Sequence, residues 1–141
     1  PNINPHYIRP TMLQQRLQKI MDEYVGGVGT WYMTSKYMLE EGFYYLDMLK
    51  EDSYHMCAEN LHELLRAWEN FHRILAGEAH ARHIHFREET RYPGYYYRGD
   101  HLAIDDENWK CFVNSTYDKN TGEWNIFKRD YHQLVSDADK S

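Results

Sequence analysis

The chain has 141 residues, of which 42% are hydrophobic, 16% aromatic and 27% charged; this fits one folded domain and excludes wholesale disorder. Its net charge is −6 and no basic stripe is present, so a nucleic-acid partner is not expected. Two cysteines, Cys57 and Cys111, are too few for a disulfide framework and indicate reduced thiols of an intracellular protein. No apolar run approaches the roughly 18 residues that a membrane span needs.

Residues 1–10 are predicted to be an extended lead-in from a preceding domain, because the chain opens without Met and with proline-punctuated sequence. Thr11 and Gln14 then have the spacing of a capping box at the start of a first helix. One apolar face at helical spacing is predicted for it. Its members are Leu13, Leu17, Ile20, Tyr24 and Val28. The run Gly26-Gly27-Val28-Gly29 weakens the end of this helix, since glycine costs about 1 kcal/mol in a helix interior.

Two further helices are predicted, the second from residue 36 to about 50 with Ser35 as its cap. The third begins at a capping box formed by Asn60 and Glu63 and continues to about Glu89. Each has an apolar set at helical spacing that is expected to face the core. The sets are Leu39, Phe43, Leu46 and Leu49, then Leu61, Leu64, Leu65, Trp68, Phe71, Leu75, Ala79 and Phe86. Residues 11–90 are therefore predicted to form a three-helix antiparallel bundle.

The chain changes character in residues 91–135, which form an aromatic-rich extended segment after the helix-breaking Pro93 and Gly94. Residues 105–109 predict one capped helical turn. Residues 110–117 and 123–128 predict two strands of a small β-hairpin. Residues 136–141 are predicted to be a frayed tail. The fold class is thus mainly α, a three-helix antiparallel bundle followed by an extended C-terminal segment with a small β-hairpin.

Three residue clusters were considered as ligand sites. His80 and His83 are three residues apart and could share a metal ion, but His85 points away from them, so a role at the helix C-terminus is favoured and metal binding stays open. The glycines at 26–29 lack the preceding strand that a phosphate cradle requires. Residues 105–107 lack the alternating spacing of a calcium loop. No catalytic, cofactor-binding or metal-binding residue is predicted.

The stretch from residue 82 to 98 combines arginines with tyrosines, residue types that are favoured at protein interfaces. Two interpretations are left open for it: a docking surface, and an intramolecular network in which arginines pair with Glu88 and Glu89 and tyrosines close the end of the bundle. The interface candidates are Arg82, Arg87, Arg91, Tyr92, Tyr95, Arg98, Trp109 and Trp124.

Residues 78–82 and 86–98, followed by the Asp-Asp-Glu-Asn-Trp-Lys-Cys-Phe-Val-Asn-Ser run at 105–115, closely resemble the C-terminal region of the adenylylsulfate reductase alpha-subunit family. The resemblance extends over about residues 10–129. Succinate dehydrogenase and fumarate reductase flavoproteins share the Asp-Glu-Asn-Trp signal, but they usually read Ser-Arg-Gly-Ala-His where this chain has Thr90-Arg91-Tyr92-Pro93-Gly94.

The resemblance implies a subunit that binds FAD noncovalently and interconverts adenylylsulfate with sulfite and AMP in dissimilatory sulfur metabolism. It also implies an iron–sulfur beta subunit with two [4Fe-4S] clusters, and a cytoplasmic location. For this chain it implies a helical domain that supports the upstream flavin-binding domain and helps to present it to the beta subunit, binding no cofactor and inactive alone. Two alternatives remain, the equivalent domain of a fumarate reductase or succinate dehydrogenase-type flavoprotein, and a free-standing helical interaction module.

Overall fold

A computed structural model describes residues 7–132 of the chain. Three long helices dominate it: α1 spans Pro10–Tyr24, α2 spans Lys36–Ser53 and α3 spans Leu61–Phe86. The predicted tail at 136–141 and most of the predicted lead-in lie outside the described residues.

The three helices pack side by side, with α2 antiparallel to both α1 and α3. Contacts between side chains at matching heights define these directions. The pairs are Arg16–Asp52 and Tyr24–Tyr45 for α1 with α2, Phe43–His85 and Lys50–Glu78 for α2 with α3, and Pro10–Asn70 and Leu17–Gly77 for α1 with α3. The predicted three-helix antiparallel bundle is therefore confirmed.

Two of the three predicted helix caps are present. The Ser35 hydroxyl accepts a hydrogen bond from the Met38 amide, and the Asn60 side chain accepts one from the Glu63 amide. The predicted capping box of Thr11 is wrong, because the helix already begins at Pro10 and Thr11 lies inside its first turn. Proline is well suited to that first position, since its fixed φ is helical and its missing N–H is not needed there.

The first helix ends at Tyr24, earlier than the apolar pattern predicts, and Val28 is exposed in the turn that follows. Gly26 ends the helix in the left-handed region, at φ +84°. Gly27 is required by a close approach, because a Cβ there would lie 2.4 Å from the Cα of Asp22. The Asp22 carboxylate in turn accepts a hydrogen bond from the Gly29 amide at 2.9 Å.

The core lies between the three helices, and α3 contributes a different face to it from the one predicted. The buried residues of α3 are Ala67, Asn70, Ile74, Glu78, Ala81 and Ile84. The large apolar residues at its start, from Leu61 to Phe71, are exposed instead, and the prediction that they face the core is wrong. The helix also ends at Phe86, three residues before the predicted end.

The segment after the bundle contains short elements. A parallel pair joins β1 (Met33–Thr34) to β2 (Tyr97–Arg98), which links the loop before α2 to the segment after α3. The predicted helical turn is present as α4 (Asp106–Trp109), capped by the Asp105 side chain. The predicted hairpin is also confirmed, with β3 (Cys111–Asp118) antiparallel to β4 (Glu123–Asp130). Among residues 7–132, no helix is long and apolar enough to cross a membrane.

Candidate functional site

The chain has a cluster of buried charges where α3 ends, which we call the arginine junction. It consists of Arg87, Glu89, Arg91, Arg98 and Asp100. All five residues lie between the end of α3 and the start of α4, so the junction joins the bundle to the elements that come after it.

Arg98 is the most deeply buried arginine of the junction, with 1% of its surface exposed. Its Nη1 donates hydrogen bonds to the carbonyl oxygens of Ile84, His85 and Arg87, at 2.6, 3.1 and 2.9 Å. The last carbonyls of a helix have no partner within the helix, and a positive charge is favourable at that end of the helix dipole. Arg98 therefore acts as the cap of α3, although it lies twelve residues beyond the last helical residue.

Asp100 connects this cap to the start of α2. Its carboxylate accepts hydrogen bonds from Nε and Nη2 of Arg98, and a third from the Lys36 amide in the first turn of α2, at 3.1 Å. The Arg98 hydrogen bonds, aided by that amide, hold the pKa of Asp100 well below its ordinary value against the opposing effect of partial burial. A negative charge at this position thus stabilises the end of one helix and the beginning of another.

Glu89 is a fully buried carboxylate at the centre of the junction. It accepts hydrogen bonds from the guanidinium groups of Arg87 and Arg91, and from the Asp105 amide at 2.9 Å. Burial alone would raise the pKa of Glu89, but the hydrogen bonds from Arg91, the Asp105 amide and Arg87 outweigh it and lower the pKa. Glu89 is therefore held as an anion between two cations.

The outer edge of the junction is held to α4 and to the hairpin. Arg87 donates to the carbonyl oxygens of Trp109 and Cys111, both at 2.8 Å, and Arg91 donates to the Asp106 carboxylate at 2.8 Å. The Trp109 ring is buried, and the Lys128 ammonium makes a cation–π contact with it, 3.6 Å from the ring centroid.

Arg82 lies apart from the junction, one helical turn after Glu78. Its guanidinium binds the buried Glu78 carboxylate at 2.8 Å and stacks over the Phe43 ring at 4.8 Å. Lys50 on α2 binds the other oxygen of Glu78, also at 2.8 Å. Burial favours the neutral acid, but the hydrogen bonds from Lys50 and Arg82 outweigh it and lower the pKa of Glu78.

The remaining interface candidates are aromatic and more accessible. Tyr92 and Tyr95 are exposed beside the junction, Tyr95 to 81%. Trp124 on β4 is half-buried and stacks on Tyr117 at 4.8 Å, and its indole N–H is buried without a partner among the described residues. Trp124 and Arg82 line an open cavity of about 910 Å³ between the tip of the hairpin and α3.

The structure thus brings Arg87, Arg91, Arg98 and Trp109 together through intramolecular contacts, and it leaves Tyr92 and Tyr95 facing outwards. The structure contains the Arg–Glu pairs of the intramolecular interpretation, with Arg87 and Arg91 bound to Glu89, whereas the role of Asp100 was not predicted. The alternation Arg87-x-Glu89-x-Arg91 favours this pairing, because alternate residues of an extended chain share a side.

Two of the candidate histidines of α3, His83 and His85, contact other groups of the protein. His83 Nδ1 lies 2.7 Å from the carbonyl oxygen of Ala79, and the His85 ring packs against Phe43. Burial, and secondarily the charge of His83, lowers the pKa of His80. In the described part of the chain, no three His, Cys, Asp or Glu side chains are placed to hold a metal ion.

Neither of the two features of residues 7–132 that could suggest dinucleotide binding fits FAD. The glycine turn after α1 encloses the carboxylate of Asp22, whose charge would repel a pyrophosphate. The parallel strands β1 and β2 have two residues each, too short for the strand–helix–strand unit that binds dinucleotides.

Comparison with known proteins shows that the chain is similar to one portion of a much larger oxidoreductase subunit. It is 55% identical over 135 residues to the adenylylsulfate reductase alpha subunit of Megalodesulfovibrio gigas, covering 96% of this chain and 20% of that protein. No protein-family profile matches the chain.

Solved structures give the same result. Adenylylsulfate reductase from Archaeoglobus fulgidus matches with a TM-score of 0.92 and 50% identity, covering 96% of this chain and 21% of the matched chain. A structure of adenosine-5-phosphosulfate reductase with a covalent sulfite adduct matches with the same values. The chain is homologous to a portion of the adenylylsulfate reductase alpha subunit, and it spans about a fifth of the length of the relatives it matches.

Proposed function

We propose that the chain is the C-terminal helical domain of an adenylylsulfate reductase alpha subunit, and that the complete enzyme interconverts adenylylsulfate with sulfite and AMP. The observation that carries this proposal is the 55% identity to the alpha subunit of M. gigas over nearly the whole chain. The similarity to a reductase structure with a sulfite adduct supports the same reaction class.

The proposed role of this domain is to support the neighbouring domain of the alpha subunit and to take part in docking to the beta subunit. The arginine junction fixes the end of α3, the start of α2, α4 and the hairpin to one another through charge-assisted hydrogen bonds. Elements fixed in this way form a rigid unit. Such a unit suits a domain that holds the flavin-binding domain in place and helps to present it to an iron–sulfur beta subunit. FAD in the full alpha subunit, two [4Fe-4S] clusters in the beta subunit and a cytoplasmic location belong to this proposal.

The proposed contact surface has supporting residues and contacting residues. Arg82, Arg87, Arg91, Arg98 and Trp109 position it, because their polar groups are engaged within the chain. Tyr92, Tyr95 and Trp124 are the residues that would meet a partner, since two are exposed and the third is half-buried at the edge of the open cavity. Tyrosine and tryptophan are enriched among residues that dominate binding energy.

The experiment is an assay of the intact alpha–beta complex that contains this sequence. Sulfite with AMP should reduce an electron acceptor, with two electrons released as sulfur passes from the sulfite to the sulfate oxidation state, whereas succinate should not. Succinate oxidation without sulfite oxidation would instead support the fumarate reductase or succinate dehydrogenase alternative. A chain that associates with neither a flavin domain nor an iron–sulfur subunit would support the free-standing module.

The contact surface is tested separately by Tyr95→Arg, with Tyr37→Arg as the matched control because Tyr37 is similarly exposed on α2. Binding of the beta subunit to the alpha subunit should weaken for Tyr95→Arg and stay unchanged for Tyr37→Arg. Equal binding by both variants would remove Tyr95 from the surface without affecting the proposed reaction.

A further inference from the structure

The first turns of α3 carry an apolar face that lies open to solvent. Its members are Leu61, Leu64, Leu65, Trp68 and Phe71, and the first four are between 55% and 83% exposed. Their spacing of three and four residues places them on one side of the helix. Single exposed apolar residues are ordinary, but a contiguous patch of this kind marks an interaction surface.

This part of α3 projects beyond the rest of the bundle. The first residue of α1, Pro10, lies level with Asn70, whose Nδ2 donates to the Pro10 carbonyl oxygen at 2.7 Å. The nine helical residues before Asn70 therefore extend about 13 Å past the start of α1, at 1.5 Å per residue. We call residues 61–71 the α3 overhang.

The polypeptide that leads into α1 runs beside this overhang. The Ile8 amide donates to the His55 carbonyl oxygen at 3.0 Å, and the Cys57 amide donates to the Ile8 carbonyl oxygen at 3.1 Å. Arg9 pairs with Glu59, next to the N-cap of α3. The chain therefore approaches α1 from the end of the bundle at which the overhang lies.

We propose that the α3 overhang is the surface against which the part of the alpha subunit that leads into α1 packs. This rests on the proposed function, because the chain spans only 20% of the alpha subunit of M. gigas and four fifths of such a subunit must lie elsewhere. The path of residues 8–9 brings the preceding polypeptide to this end. The overhang is thus a second contact surface, distinct from the one at Tyr92 and Tyr95.

The test is hydroxyl-radical footprinting of the full-length alpha subunit, alone and with the beta subunit, read by mass spectrometry at individual tryptophans. Trp68 is 65% exposed in the structure of this chain and Trp109 is 7% exposed, so Trp109 serves as the buried standard within the same protein. Trp68 in the alpha subunit alone should lose most of the labelling expected for an exposed tryptophan and fall to the level of Trp109.

Three results would overturn the proposal. Trp68 could stay strongly labelled in the alpha subunit alone and in the complex, so that nothing covers the overhang. It could become protected only when the beta subunit is added, or only as the concentration of the alpha subunit is raised; the occupant would then be the beta subunit or a second copy. The sulfite and AMP assay on the same sample tests the proposed function separately, so an active enzyme with labelled Trp68 overturns this inference alone.

A matched pair of variants in the full-length alpha subunit gives a second readout. Leu64→Arg should increase proteolytic cleavage near the start of α3 severalfold, because a charge at a packed domain contact separates the surfaces. Leu102→Arg, at a leucine of similar exposure in the extended segment, should leave cleavage there unchanged. Equal cleavage in both variants would contradict the proposal.

Discussion

Arg98 and Asp100 form a two-point ion pair, with Nε–Oδ1 and Nη2–Oδ2 distances of 2.9 and 2.8 Å. The remaining nitrogen of the Arg98 guanidinium caps α3, and the Asp100 carboxylate also accepts from the Lys36 amide of α2. Two residues of an irregular segment thus bind the ends of two helices, and this relationship determines where the segment lies on the bundle.

Arg98→Met should destabilise the chain by about 1.5–3 kcal/mol, the usual value of a hydrogen bond to a charged group. The substitution keeps much of the side-chain volume but leaves Asp100 and the last carbonyls of α3 without their donor. Urea denaturation measures the change. The exposed Arg66 supplies the control, since Arg66→Met should change the stability by no more than about 0.5 kcal/mol.

Arg98→Lys separates geometry from charge at the same position. A lysine ammonium keeps the charge but cannot place donors on the Ile84 carbonyl and on both Asp100 oxygens as a planar guanidinium does. We expect Arg98→Lys to recover only a minor part of the stability lost in Arg98→Met. Full recovery would contradict the assignment of Arg98 as a helix cap.

The chain should lose stability in acid through three carboxylates that accept hydrogen bonds from arginine or lysine side chains. The pKa values of Glu78, Glu89 and Asp100 are lowered in the folded state, so below about pH 4–5 the unfolded chain binds protons that the folded chain does not. Their contribution to the free energy of unfolding is fully present above the pKa values of the unfolded chain. It is lost as the pH falls through the lowered pKa values of the folded chain. Glu89→Gln should therefore flatten the fall in the free energy of unfolding between about pH 5 and pH 3.

Denaturant midpoints measured across that pH range check this prediction. Glu107→Gln is the control, because Glu107 is exposed in α4 and should leave the acid slope unchanged. If Glu89→Gln kept the slope of the parent chain, Glu89 would not be a stabilising anion.

The two sides of α3 should respond differently to truncation. Ile74 is buried, so Ile74→Ala should cost about 2–5 kcal/mol through lost burial and a cavity. Leu65 is exposed, so Leu65→Ala should stay within about 0.5 kcal/mol in the 141-residue chain. Thermal or urea unfolding of both variants measures the change in stability. A larger loss of stability for Leu65→Ala than for Ile74→Ala would show that the face predicted from the sequence is the buried one.

Features encoded locally could be predicted from the sequence. Ser35 and Asn60 cap helices through residues three positions away, and the loop at 118–122 joins two strands that its flanking residues already favour. These interactions need no knowledge of the tertiary structure, which is why the helix number, the helical turn and the hairpin were predictable.

The face of α3 and the arginine junction depend on tertiary contacts. Amphipathic analysis assigns leucine and tryptophan to the core, whereas α3 buries Asn70 and Glu78, which bind Pro10 of α1 and Lys50 of α2. Arg98 similarly becomes buried only because the chain returns to the end of α3. The exposed apolar residues of the overhang have helical spacing, and within residues 7–132 no other element covers that face.

The 141-residue chain alone should be colourless and should not turn over adenylylsulfate, because the residues present do not fit a flavin. An absorption spectrum between 350 and 500 nm after incubation with FAD, followed by a sulfite and AMP assay, checks this. Bovine albumin at equal concentration serves as a control for nonspecific binding. A stable yellow complex with this chain would contradict the structural role.

The central claim, that the chain is part of an adenylylsulfate reductase alpha subunit, is tested most directly by sequencing the gene upstream of the codon for Pro1. We expect an open reading frame that continues and encodes a strand, Gly-x-Gly-x-x-Gly and a helix, the fingerprint of a dinucleotide-binding domain. A start codon immediately before Pro1 would contradict the claim and favour a free-standing helical module.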